Sequence, residues 1–272
     1  MVVSYFHRLF LYLALSLLFV KLTYSLSIFL LGDSTSERLF VHGLIPTFNC
    51  TSIDPSIKKF VEAVSYKDYA RNRGMTCNST QLSRIGYMIH WGVAKQDSDY
   101  SHNWTNHRSS GDTENSIANI INSIKEFQQR SGADSDTIFI FLSNLWDQHR
   151  HYTFHPGVAQ DIWLQEFHRN YTSAVILILE SLRPQDKLVI QTQHKVKESE
   201  DFAATVPVLN NIIKKVAQFF NLPLFDMEKL AGNNTAMYLA DGVHQDRKMS
   251  ITMAQLLVNR NWTVASKECS TE

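Results

Sequence analysis

Residues 138–142 read Ile-Phe-Ile-Phe-Leu, an unbroken apolar run inside the segment 136–147. A strand that alternates polar and apolar residues can leave one face in water, whereas one that is apolar at every position must be covered on both faces. The run is therefore expected at the centre of a parallel sheet sandwiched between helices. Four more stretches, 26–31, 84–93, 187–193 and 222–227, read as strands, and helix-period patterns separate them at 114–129, 162–182, 206–220 and 249–259. Strand and helix in alternation predict an α/β fold: a three-layer α/β/α sandwich on a mostly parallel sheet of about five strands. With 272 residues, 44% of them hydrophobic, the chain can bury one sizeable core, and no repeat, low-complexity segment or linker marks a second domain. Segments 43–83 and 94–111 show no period and are expected as surface excursions at the ligand-binding end of the sheet.

The first 25 residues stand apart. A short segment ending in Arg8 precedes twelve uncharged residues, 9–20, and then Lys21-Leu-Thr-Tyr-Ser25, with small residues at Thr23 and Ser25. This is the pattern of a signal peptide, and twelve residues fall short of the roughly 20 that a membrane-crossing helix needs. Cleavage near Ser25 is expected, because residues 26–31 already belong to the first strand. An uncleaved signal anchor is the alternative and the one route to a membrane. The organisation expected is thus 1–25 signal peptide, 26–265 folded domain and 266–272 polar tail. Six N-x-S/T sequons, at Asn49, Asn78, Asn103, Asn170, Asn233 and Asn261, point to the secretory pathway, either secreted or in the ER/Golgi lumen. There Cys50 and Cys77 can pair, while Cys269 in the polar tail is left over. Lys plus Arg and Asp plus Glu each number 26, and no basic run exceeds a pair, so nucleic acid is not an expected partner.

Where the first strand ends, the sequence turns Gly32-Asp33-Ser34 into a helical pattern. A serine at a strand's carboxyl end and a helix's amino end lies where open α/β sheets bind ligands, so Ser34 is either a nucleophile or simply an N-cap. A serine nucleophile needs a base, an acid to orient that base, and donors for the oxyanion. Asp241 and His244, three residues apart in a turn-rich stretch before the last helix, can supply the first two. Gly92, ending the second strand, and Asn144, after the third, can join the Ser34 N–H as oxyanion donors. Gly86, mid-strand, is a weaker candidate for the glycine role.

Together, "GDST", Gly92, "SNLWD" and "DGVH" resemble the four blocks of the SGNH or GDSL-type hydrolases, with most similarity to their PC-esterase-like branch. The third block departs from Gly-x-Asn-Asp, and Arg38 lies one position later than the arginine common in that branch. The resemblance implies a flavodoxin-like SGNH-hydrolase fold with 26–265 as its catalytic domain. It also implies a secretory serine esterase, carbohydrate esterase or deacetylase in type, acting on a small-molecule or glycan ester. Ser34 attacks the carbonyl, His244 relays the proton, Asp241 fixes the imidazole, and Ser34, Gly92 and Asn144 hold the oxyanion. A glycan O-acyltransferase, or an inactive glycan-binding member, is the alternative. The G-x-S-x-G elbow of the α/β-hydrolases is absent.

No cofactor or metal is expected. A zinc site among His149, His151 and His155, with His90, His102 and His107 upstream, is the rival, but no carboxylate or cysteine stands at a convincing spacing. His194, ending the fourth strand, is expected as a satisfied structural histidine near the cleft.

Overall fold

A computed structural model describes residues 26–53, 75–79, 84–89, 92–93, 117–133, 135–145, 147–148, 157, 159–197, 200–232, 239, 242–259 and 263–264. The apolar segment at the start of this region forms β1 (Leu26–Gly32), buried on both faces. Ile28 and Leu30 point into one core and Phe29 and Leu31 into another, as the two-residue period of a strand requires. After β1 come a short helix, α1 (Ser34–Arg38), a π-helical continuation over Leu39–Leu44 and a last turn at Ile45–Thr47. Then follow β2 (Cys50–Ile53), β3 (Met75–Ser79), β4 (Arg84–Ile89), α2 (Ile117–Ser131), β5 (Asp136–Phe141), α3 (Gln160–Ser181), β6 (Lys187–Gln191) and α4 (Glu200–Phe219). The chain continues through β7 (Pro223–Phe225), α5 (Met227–Ala231), α6 (Arg247–Val258) and β8 (Thr263–Val264).

Among the described residues the sheet has eight strands in the order β2-β3-β4-β1-β5-β6-β7-β8. The five strands read from the sequence, β4, β1, β5, β6 and β7, pair in parallel at its centre. The α1–π segment, α5 and α6 cover one face and α2, α3 and α4 the other, which makes the three layers expected. Three antiparallel edge strands are additional: β2 pairs with β3, β3 with β4, and β8 with β7. Two of them lie in the stretch expected as a surface excursion. Their sequences, Cys-Thr-Ser-Ile and Met-Thr-Cys-Asn-Ser, are short and largely polar; β3 is a strand because it pairs with β4 and buries Cys77 in the core, and β2 because it pairs in turn with β3. The disulfide expected between Cys50 and Cys77 ties the pair together, across a separation of 27 residues. Closing such a loop is worth roughly 3–4 kcal/mol. Helix α4 begins six residues before the expected start, at Glu200 rather than 206, and runs through Pro207. Gly86 in β4 is a packing glycine. A Cβ there would meet the Phe29 and Phe127 rings at 2.5 and 2.6 Å, and those rings stack at 4.4 Å.

The amino ends of the central strands are tied by one polar network. Arg183 donates to Asp186 Oδ1 at 2.9 Å and Oδ2 at 3.0 Å, and to the Gly132 and Ser135 carbonyls at 2.8 Å each. The Asp186 carboxylate also accepts from Gln128 Nε2 at 2.7 Å and from the Thr137 N–H at 3.2 Å.

Candidate active site

At the carboxyl end of β1 the chain must turn sharply into α1, and Gly32 makes room for the turn. A Cβ on it would stand 2.0 Å from Ser36 Oγ. Asp33, not Ser34, is the N-cap: its Oδ1 accepts the Thr35 N–H at 2.8 Å and the Thr35 hydroxyl at 2.6 Å. Complete burial lifts the Asp33 carboxyl above its ordinary range, while the bonds from Thr35 and the nearby His244 ring pull the other way. Ser34 is thereby released from capping and becomes the first residue of α1, where its N–H has no partner inside the helix.

The Ser34 hydroxyl meets His244 Nε2 at 2.7 Å. The two residues are 210 positions apart, and hydrogen bonds on either side hold the imidazole's loop in place. On the serine side, Gln245 Nε2 donates to the Thr35 carbonyl at 2.7 Å, and Arg38 Nε to the Gln245 carbonyl at 2.9 Å. On the other side the exit of β6 grips the loop. His194 Nε2 donates to the Val243 carbonyl at 2.8 Å, and the Lys197 N–H to the Gly242 carbonyl at 2.8 Å. His194 is buried and engaged through both ring nitrogens, with Gln193 Nε2 at 3.1 Å from Nδ1, so it is the structural histidine expected. Val243 rests on a small apolar cluster of Leu145, Val196 and Val206.

Sheet order sets the remaining candidates. Gly32 pairs with Ile89 and Leu31 with Phe141, so the exits of β4 and β5 lie on the two sides of the serine strand. Gly92, with φ at +96°, follows β4, and Asn144 follows β5. The Asn144 amide is engaged in the interior: Nδ2 donates to Asn210 Oδ1 at 3.1 Å, and its oxygen accepts from Gln148 Nε2. An amide nitrogen carries two hydrogens, and the bond to Asn210 uses one. Asp241 lies outside the described residues, as do His90, His102, His107, His149, His151 and His155.

Sequence reasoning passed over the supports of this site: Asp33 as cap, Gln193, Asn210 and Gln245. Asn210 clamps the Gln193 backbone from α4, accepting its N–H at 2.9 Å and donating to its carbonyl at 2.7 Å. A signal was present, because Asn210 interrupts the apolar stripe formed by Val206, Leu209 and Ile213. A polar residue buried in such a stripe must find partners.

No protein-family model and no curated protein matches the chain. Among solved structures it is similar to the acetyl xylan esterase AlAXEase, at 14% identity and TM-score 0.47, over 86% of this chain and 98% of that one. It is similar to a member of the lipolytic protein G-D-S-L family from Veillonella parvula, at 11% identity and TM-score 0.44, over 86% and 97% of the two chains. The acetylxylan esterase Axe2 of Geobacillus stearothermophilus gives 15% identity and TM-score 0.40 over 89% and 96%.

Proposed function

We propose that the protein is a serine ester hydrolase of the secretory pathway that removes acyl groups from a carbohydrate. The observation that carries the serine-hydrolase chemistry is the 2.7 Å contact of Ser34 Oγ with His244 Nε2 at the carboxyl end of β1. In the proposed reaction Ser34 attacks the ester carbonyl while His244 takes its proton. His244 then returns the proton to the leaving alcohol, and water repeats the sequence on the acyl-enzyme to release the acid. Asp241 orients the imidazole, and the N–H groups of Ser34 and Gly92, with the second amide hydrogen of Asn144, receive the oxyanion. Hydrolysis and acyl transfer share the acyl-enzyme and differ only in what attacks it. A labelled acetyl ester supplied with and without free xylo-oligosaccharide should give label as free acetate in both tubes. Label moving onto the sugar at the expense of acetate would make the protein an acyltransferase, and no release from either tube would leave a glycan-binding protein.

Secretory passage is supported by the sequons and by the Cys50–Cys77 disulfide. Asn49, in a turn with φ at 45°, and Asn78, on β3, are both exposed. Asn170 lies within α3, its amide nitrogen closed to solvent, and a glycan there cannot coexist with the packed helix. Protein from a eukaryotic host should lose several kilodaltons on N-glycosidase treatment, with peptide mapping finding sugar at Asn49 and Asn78 and none at Asn170. A glycan on Asn170 of folded protein, or no mass change at all, would contradict this.

A further inference from the structure

We infer that Asp147 is a positioning residue that fastens together the two strand exits flanking Ser34, and so presents the Gly92 N–H to the oxyanion; this rests on the esterase reading above. In the order β4-β1-β5 the serine strand lies between the other two, so any group joining the exit of β4 to the exit of β5 must pass the end of β1. Asp147 makes that connection. One of its carboxylate oxygens accepts the Val93 N–H at 2.8 Å, 54 residues away in sequence, and the other accepts the Ser143 hydroxyl at 2.6 Å.

The fit around the carboxylate is tight. Asp147 is wholly buried, and a Cβ on Gly92 would stand 2.5 Å from its Oδ1, so a side chain there would push the loop off the carboxylate. The Gly92 φ of +96° is itself a conformation that L side chains rarely adopt. The Tyr171 phenol of α3, also wholly buried, lies in the field of Asp147, and burial together with that field holds it protonated. Asp147 therefore acts in the protein interior, where a hydrogen bond is little weakened by water. Holding the Val93 N–H fixes the peptide plane that follows Gly92. The Gly92 N–H lies one peptide back, on the other side of the same α-carbon, so anchoring this plane restrains the direction in which that N–H is presented.

An oxyanion donor works because it is already in place when charge develops, and it contributes more to the transition state than to the bound ester. Loosening the Gly92 loop should therefore lower kcat and leave KM nearly alone. On p-nitrophenyl acetate, Asp147→Ala should reduce kcat on the order of 10²-fold, as loss of one oxyanion donor does, with KM little changed. Phosphonylation of Ser34 by a fluorophosphonate should slow in parallel, since the phosphoryl oxygen uses the same donors. Asp147→Asn keeps an oxygen for the Val93 N–H and should recover most of the lost kcat. Gly92→Ala attacks the same contact from the opposite side and should reproduce the kcat-specific loss, which guards against an Asp147→Ala protein that does not fold. Rates are taken per folded molecule, by active-site titration.

Active wild type with unchanged kcat in Asp147→Ala or Gly92→Ala would overturn the positioning role alone. So would an Asp147→Asn protein as impaired as Asp147→Ala. Wild type that neither hydrolyses the ester nor takes the phosphonate would overturn the esterase reading, and this inference with it.

Discussion

Replacing Ser34 with alanine is expected to lower ester turnover on the order of 10⁶-fold, to the background that the remaining groups support. The hydroxyl that meets His244 at 2.7 Å is the only part removed, and alanine is a good residue for the first turn of a helix. Stability should change by about 1 kcal/mol or less, the net worth of one hydrogen bond, because Asp33 and not Ser34 caps α1. His244→Ala should cost as much as Ser34→Ala, and the double variant scarcely more, since a nucleophile and its base act as a unit. Initial rates on a short-chain aryl ester, with melting curves alongside, decide the matter. Ser34→Ala protein that is folded and as active as wild type would remove the serine mechanism.

Arg183→Met is expected to cost about 3–5 kcal/mol of folding free energy, the range for breaking a buried ion pair from one side. The Asp186 side chain is fully buried, and the Arg183 guanidinium is its cationic partner in the pair. Without it the carboxylate keeps Gln128 and the Thr137 N–H but loses its counter-charge in a low-dielectric setting. The guanidinium also donates to the Gly132 and Ser135 carbonyls, and both bonds go with it. Urea unfolding at neutral pH measures the loss, and a change below about 1 kcal/mol would mean that water screens the pair as it does on a surface. Arg183→Met combined with Asp186→Leu should recover part of the loss, because the unpaired charge goes too. Turnover per folded molecule should stay at the wild-type level in each case, since this network lies at the amino ends of the strands and the serine at their carboxyl ends.

The five parallel strands were legible because each is apolar on both faces or nearly so, and only a position inside a two-sided sheet covers such a strand. Residues 138–142 alone imply helices above and below. The serine at the end of the first strand was legible for a related reason: an apolar run that stops at Gly-Asp-Ser and turns helical fixes where the backbone N–H groups point. These are local properties of short segments, and they are written in composition and period. Cys50 and Cys77 were likewise legible from the compartment that the sequons imply.

What tertiary structure alone decided depends on contacts between segments far apart in the chain. Strands β2 and β3 are short and largely polar, and they exist because β4 offers an open edge to β3 and β3 in turn offers one to β2. Ser34 and Asp33 are both good capping residues, so their division of labour follows from the turn at Gly32, which aims the Asp33 carboxylate at Thr35 and the Ser34 hydroxyl at His244. The position of Asn144 after β5 was legible in the sequence, yet the direction of its amide is set by Asn210, 66 residues away on α4. The link from Asp147 to Val93 could not be read from either segment, because nothing in a sequence records that β4 and β5 flank β1. Periodicity dictates which residues are buried. Which buried polar group meets which is a property of the sheet order, because a hydrogen bond is satisfied by whatever donor the fold brings within about 3 Å.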